Sequence, residues 1–161
     1  MPSTRRRTFL ATLGGLAAGS TAGCSLLGSE ERPAGTLVFA NDDSLPHAVS
    51  MRVTGVGAEP GDGDGTVTGT TTVPPAQRSL TATTTLDPDE SDAYRGTFTH
   101  AAWYAVAFRV DGRQPENGTG TVTFNPRPAG EERGRTLTAR VHESGDFTWA
   151  IGTTGDLGPF E

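Results

Sequence analysis

Hydrophobic and polar residues alternate along several short segments of this chain. The clearest example surrounds Tyr104, Val106 and Phe108, which fall on one side of an extended backbone while the residues between them fall on the other. Segments 47–55 and 135–143 show the same period of two. Outside the amino-terminal region no window sustains the apolar period of 3.6 that indicates an amphipathic helix. The pattern therefore predicts β-strands throughout the body of the chain.

Turn-forming residues separate these segments at short intervals. Segments 41–44, 111–112 and 144–146 are rich in Asn, Asp, Ser and Gly, which favour tight turns. About seven or eight strands spaced in this way predict an all-β fold, an antiparallel β-sandwich with one solvated face on each sheet. The glycine-rich segment 56–69 is expected to be mobile.

The amino terminus has a different pattern. Three consecutive arginines at positions 5–7 precede an uncharged stretch of 14 residues, from Phe9 to Ala22. A membrane-spanning helix needs about 20 apolar residues, so this stretch is too short to be a stable span. A charged segment, an apolar segment and small residues in this order predict a cleavable signal helix over residues 1–23. Residues 24–35 then form a flexible tether, because they are small, charged and contain Pro and Gly.

Four residues of this leader match the twin-arginine (Tat) export signal: Arg6, Arg7, Phe9 and Leu10. Arg5 stands where Ser or Thr is usual in that signal. The leader resembles a Tat signal also in its weak hydrophobicity, and the resemblance implies recognition by an export translocase. The alternative is an ordinary secretory signal that begins with three arginines.

Ala22, Gly23 and Cys24 resemble the lipobox of bacterial and archaeal lipoproteins, with Thr21 in place of the usual Leu. Cys24 is the one cysteine of the chain, so it has no internal disulfide partner. The resemblance implies that its thiol carries a lipid. Because each buried CH₂ contributes about 0.8 kcal/mol, a diacylglyceryl group anchors firmly. We therefore expect the domain at the cell membrane, lipid-anchored and facing the extracellular side.

The charge balance changes which partners are expected. The chain has 13 basic residues, all arginine, against 19 acidic residues, and its net charge is −6. Loss of residues 1–23 removes three arginines and makes the charge −9. This acidic, lysine-free profile argues against nucleic acid as a partner, because no basic stripe faces phosphates. It is similar to that of surface proteins from halophilic archaea, whose acid excess opposes association.

Two short motifs in the body resemble those of immunoglobulin-like and fibronectin-type-III-like domains. One is the turn 86–91, LDPDES, in which Asp89 replaces a common Gly; the other is the strand 104–108, YAVAF. The resemblance implies an immunoglobulin-like sandwich over residues 36–153, followed by a tail at 154–161, and together with the leader it suggests a small lipoprotein of halophilic archaea. It implies little about activity, because sandwiches host many functions.

A carrier that binds a metal ion or a small solute, on a cupredoxin-like sandwich, is the alternative function that the sequence leaves open. His47, Met51, His100 and His142 are the candidate ligands for copper or zinc. A type 1 copper site is excluded, because it needs a cysteine thiolate within the fold and Cys24 belongs to the leader. The competing interpretation places the histidines at the surface and Met51 in the core.

No constellation of residues predicts an enzyme. A Gly-x-Ser-x-Gly nucleophile elbow is absent from the sequence, and no cofactor motif occurs. Asn117 begins an Asn-x-Thr sequon and is a possible glycosylation site. Trp103, Ala105 and Ala107 fall on one side of their strand and form a strip of mostly small side chains, which we call the low-profile strip. It either binds a partner or packs against the second sheet. The expected function is a non-enzymatic surface module that binds an unknown ligand or envelope protein, or supports structure.

Overall fold

The computed structural model describes residues 31–116 and 118–161. The strands are β1 (Leu37–Asn41), β2 (His47–Gly57), β3 (Glu59–Pro60), β4 (Val67–Thr68), β5 (Thr81–Leu86), β6 (Ser91–Tyr94), β7 (Trp103–Val110), β8 (Thr121–Phe124), β9 (Gly134–Val141) and β10 (Phe147–Thr154). One short helix, α1 (Pro75–Arg78), precedes β5, and a 3-10 turn, Gly158–Phe160, follows β10. The signal helix, Arg6, Arg7, Phe9, Leu10, Cys24 and Asn117 lie outside the described residues.

Two four-stranded sheets form the fold, and their hydrophobic faces share one core. Sheet A has the order β10–β9–β1–β6 and sheet B has the order β5–β2–β7–β8. The prediction of an all-β sandwich is therefore confirmed. Neighbouring strands are antiparallel except for β1 and β9, which are parallel, with Phe39 opposite Ala139. The strand order differs from the ABED and CFG sheets of an immunoglobulin domain, so the likeness is one of architecture.

The alternating pattern predicted the inward faces correctly. Tyr104, Val106 and Phe108 on β7 are fully buried, and Met51 on β2 is 2% exposed. Aromatic rings join the two sheets: the Phe108 and Phe147 ring centroids lie 5.3 Å apart. Because each buried aromatic or aliphatic side chain contributes about 1.5–3 kcal/mol, these contacts hold the sheets together.

The two ends of the sandwich differ in what they contain. We call the end at which residues 31–36 enter the near end, and the opposite end the far end. At the near end β1 begins at Leu37 and β10 ends at Thr154, so residues 31–36 enter the domain there. The backbone N–H of Ala34 donates to the Asp156 carbonyl over 2.8 Å, which fixes this entry beside the carboxyl-terminal segment. At the far end lie the turns 42–46, 87–90, 111–120 and 142–146.

The glycine-rich segment forms a hairpin that its composition did not predict. Strands β3 and β4 pair, and the backbone N–H of Thr66 donates to the Thr123 hydroxyl over 3.1 Å. Gly55 permits the close approach, because a Cβ there would lie 3.3 Å from a Val67 methyl carbon. The hairpin thus packs on the outer face of sheet B. Within the described residues no helix is long and apolar enough to cross a bilayer.

Candidate functional site

The outer face of sheet B carries no acidic side chain on its strands. Alternation places hydroxyl, small and basic residues outward, together with one tryptophan. They are Thr81, Thr83 and Thr85 on β5, Ala48, Ser50, Arg52 and Thr54 on β2, Trp103, Ala105, Ala107 and Arg109 on β7, and Thr121 and Thr123 on β8. In a chain of net charge −6 such a face is electrostatically distinct from the rest of the surface.

The β3–β4 hairpin covers the near half of this face. Ala105 is only 3% exposed as a result, and the Thr54 hydroxyl donates to the Ala105 carbonyl over 3.2 Å. The low-profile strip that includes Trp103 is therefore partly covered. Beyond the hairpin the face opens into a groove of about 360 Å³, which we call the sheet groove. It is lined by Ser50, Met51, Arg52, Thr81, Thr83, Ala107, Phe108, Arg109 and Gln114.

Arg52 and Arg109 are diagonal neighbours across the sheet groove. Arg52 lies opposite Ala107 in the register of β2 and β7, and Arg109 lies two residues further along β7. Diagonal neighbours are roughly 7–8 Å apart, within reach of long side chains. The Arg109 guanidinium donates to the Gly112 carbonyl over 3.3 Å, whereas the Arg52 guanidinium has no hydrogen bond or ion pair with any other described residue. Neither guanidinium is neutralised by a carboxylate among those residues.

A second groove, of about 440 Å³, lies between the β7–β8 and β9–β10 turns and is called the loop groove here. It is lined by Val110, Arg113, Gln114, Pro115, Glu116, Thr119, Gly145, Asp146, Phe147 and Thr148. Gln114 lines both grooves, so the two share a border at the far end. The loop groove contains carboxylates as well as Arg113, whereas the sheet groove contains none.

Beside these grooves, His47 is held between two carboxylates. Its Nε2 lies 2.8 Å from an Asp43 carboxylate oxygen and its Nδ1 lies 2.7 Å from an Asp111 carboxylate oxygen. Both ring nitrogens donate only when the imidazole is protonated, so this geometry fits an imidazolium ion. We call this trio the His47 clamp.

The backbone positions both carboxylates of the clamp. The N–H of Asp43 donates to the Asn41 side-chain oxygen over 3.1 Å, and Asn41 is itself completely buried. The N–H of Ala48 donates to Asp111 over 2.9 Å, and Asp111 has a φ of 51°, a left-handed conformation that turns the chain after β7. The clamp therefore joins the β1–β2 turn to the β7–β8 turn.

Electrostatics within the clamp favour charge on all three groups. The hydrogen bond to Asp43 is the largest cause that raises the pKa of His47, and Asp111 adds to it. The hydrogen bond from His47 is in turn the largest cause that lowers the pKa of Asp43 and of Asp111. The site can hold two loops together through charge, but its imidazole nitrogens are already occupied.

The structure separates the four candidate metal ligands. His47 belongs to the clamp, and Met51 is buried in the core. His100 contacts the Thr99 hydroxyl in the loop before β7, at the near end, whereas His142 contacts the Thr148 hydroxyl at the far end. Among residues 31–116 and 118–161 no group of three or more His, Cys, Asp or Glu side chains is placed to hold a metal ion.

Sequence reasoning did not single out the arginines of the grooves or the two aspartates of the clamp. Asp111 was recognised only as a turn residue, and Arg52 and Arg109 only as polar positions on strands. The one available signal was that basic residues and threonines, without acids, occupy the outward positions of neighbouring segments. Detecting it required knowing that β2 lies beside β5 and β7.

Comparisons with known proteins do not assign the chain to a family. No family model, curated protein or solved structure matches it.

Proposed function

We propose that this chain is a non-enzymatic, lipid-anchored cell-surface protein whose sandwich acts as an extracellular binding module. The observation that carries the proposal is the single cysteine, Cys24, placed directly after a twin-arginine-like leader and small residues. Lipid bound through Cys24 is its membrane partner, and the export translocase is its partner during secretion.

The path of the chain supports this arrangement. Residues 31–36 enter the sandwich at the near end, only a few residues after Cys24. A chain extends by at most about 3.5 Å per residue, so this tether keeps the near end within a few nanometres of the bilayer. The sheet groove and the loop groove lie toward the far end and stay accessible to the surroundings. Binding at those grooves is the role we assign to the domain.

Cell fractionation tests the anchoring. Wild-type protein is expected in the detergent phase of a phase-separated membrane extract, and Cys24→Ser protein in the aqueous phase, because the thiol that carries lipid is gone. Recovery of Cys24→Ser protein in the detergent phase would contradict the proposal.

Substitution of the arginine pair tests the export route. Arg6→Lys with Arg7→Lys is expected to leave uncut precursor in the cytosol, since the Tat signal requires both arginines. The matched control is Arg5→Lys, which keeps the pair intact and is expected to be exported. Normal processing of the double variant would indicate the general secretory route instead.

The metal-carrier alternative gains no supporting contact from the described residues, since its four candidate ligands occupy separate environments. It stays a prediction that a copper or zinc titration of the purified chain tests directly. Stoichiometric binding that His47→Ala abolishes would favour the carrier over the binding module.

A further inference from the structure

The sheet groove has a composition that selects for negative charge. Its polar lining consists of two arginines, a glutamine and three hydroxyl side chains, from Ser50, Thr81 and Thr83. Arginine donates in a planar fork that matches carboxylate, sulfate and phosphate oxygens. Met51 and Phe108 turn their side chains into the core, where they are 2% and 0% exposed, so strand backbone and the Ala107 side chain form the floor of the groove. We propose that this groove binds an anionic polysaccharide, a sugar polymer that bears carboxylate or sulfate groups; this rests on the proposed function as a binding module.

The two guanidinium groups lack carboxylate partners while acids are in excess elsewhere. Arg135 and Arg140 pair with Glu131 and Asp42 on sheet A, over 2.5 Å in each case. Arg52 and Arg109 instead lie side by side on sheet B, where their like charges repel. An anion placed between them removes that repulsion and supplies the missing acceptors.

The open shape of the groove favours a polymer over a free ion. A small anion in a shallow groove stays in contact with water, where one exposed ion pair contributes only about 0–1 kcal/mol. A chain of sugars that lies along the strands adds contacts with the threonine hydroxyls and with Gln114, and it repeats its charge at intervals. Several weak contacts then sum to specific binding.

Other polyanions fit the groove less well. Single-stranded nucleic acid is bound through exposed aromatic rings on which bases stack, and Phe108, the one aromatic in the lining, is fully buried. Anionic lipid surfaces attract basic segments that are accompanied by exposed apolar side chains. Among the described residues Leu45 is the one large hydrophobic side chain that is strongly exposed, and it lies in the β1–β2 turn, outside the groove.

Affinity measurements with dextran sulfate and neutral dextran test the proposal on the full chain purified in detergent. The assay contains about 0.15 M salt, whose screening length of about 8 Å weakens long-range repulsion by the acidic surface but leaves contacts between adjacent charges in place. We expect wild type to bind dextran sulfate and not dextran. Arg52→Gln and Arg109→Gln are each expected to weaken binding about fivefold, and the double variant more than either.

Arg133→Gln is the matched control, because it removes the same charge from an exposed arginine in the loop before β9, at the near end. Its affinity for dextran sulfate should stay within twofold of wild type. An equal loss in this variant would show diffuse attraction and overturn the proposal, as would absence of binding by wild type. Equally tight binding to single-stranded DNA would overturn the assignment to a sugar polymer.

These outcomes are independent of the anchoring experiment. If dextran sulfate does not bind but Cys24→Ser protein is released from the membrane, the ligand assignment is wrong and the proposal of a surface lipoprotein is still supported. If binding requires Arg52 but the protein is never lipidated, the anchoring proposal is wrong and the assignment of the groove is still supported.

Discussion

The two ends of the sandwich are closed by different chemistry. At the near end the Gln77 side chain accepts from the Tyr104 hydroxyl over 2.8 Å and from the Thr99 N–H over 3.0 Å, and it donates to the Thr97 carbonyl over 3.2 Å. This network is neutral and buried. At the far end the His47 clamp is charged and partly open to water, since the Asp111 side chain is 52% exposed.

This difference identifies which part of the fold has a stability that depends on pH and salt. Burial raises the pKa of Tyr104 to about 12, so the near-end network keeps its protons across the physiological range. The clamp depends on an ionised imidazole and two ionised carboxylates, so pH and salt both change its strength. The Gln77 network at the near end is thus insensitive to pH and salt, whereas the His47 clamp at the far end responds to both.

The largest expected effect compares one glycine from each end. Gly35 and Gly145 have φ angles of 80° and 79°, so alanine is strained equally at both. A Cβ at Gly35 would lie 2.0 Å from the Phe98 carbonyl oxygen, whereas at Gly145 the nearest atom, on Asp43, is 3.7 Å away. Gly35→Ala should lower the free energy of unfolding by at least about 3 kcal/mol, and Gly145→Ala by about 1–2 kcal/mol. Urea unfolding measures both free energies. Equal losses would show that the backbone around Phe98 shifts at little cost to make room for the Gly35→Ala side chain.

Removal of the Gln77 side chain comes next. Gln77→Ala leaves the Tyr104 hydroxyl, the Thr99 N–H and the Thr97 carbonyl without this partner, although Tyr104 also donates to the His100 carbonyl over 3.2 Å. The expected loss is about 2–3 kcal/mol, because buried polar groups are left unsatisfied. Urea titrations at several pH values from about 5 to 9 should give the same loss. A loss that changes with pH would contradict the description of the Gln77 network as neutral.

A smaller and pH-dependent effect is expected for His47→Gln. The pKa of His47 is raised in the folded state, so its contribution is fully present below the unfolded value of about 6.5 and disappears as pH rises through the folded value. The lowered pKa values of Asp43 and Asp111 preserve the clamp until pH falls toward or below about 4.

Between about pH 4 and 6.5 we expect His47→Gln to cost about 1 kcal/mol, a figure that already allows for screening by water, and less at alkaline pH. His142→Gln is the control, since among the described residues the His142 imidazole hydrogen-bonds the Thr148 hydroxyl and no carboxylate. Thermal unfolding across this range measures both variants. A cost for His47→Gln that grows with rising pH would have the wrong sign.

The smallest expected effect is a change in the pKa of His47 when either aspartate of the clamp is substituted. Asp43→Asn and Asp111→Asn should each lower the pKa of His47 relative to wild type, with Asp43→Asn giving the larger change because its hydrogen bond is the largest cause of the rise. An NMR titration of the imidazole gives these values directly. The reverse order would mean that Asp111 is the stronger partner in solution.

The alternating segments predicted most of the large strands and their buried faces, because a period of two sorts side chains to the two sides of a sheet wherever one side is buried. The short β6 (Ser91–Tyr94) was missed, since only Tyr94 in it is large and apolar. Asp89, which replaces a common Gly of the turn it resembles, has a φ of 60° as such a turn requires. Glycine is common at such a position because it adopts this left-handed conformation without strain.

What the sequence alone determined about this protein is its β-sandwich class and its inward-facing residues, since both follow from local periodicity and turn chemistry. The export and lipid signals are predictions of the same local kind. The tertiary structure alone decided that β1 lies beside β9, that Arg52 and Arg109 share a groove free of acids, and that His47 meets Asp43 and Asp111. The physical reason is that these contacts join residues distant in sequence, and strand order, which local patterns do not encode, brings them together.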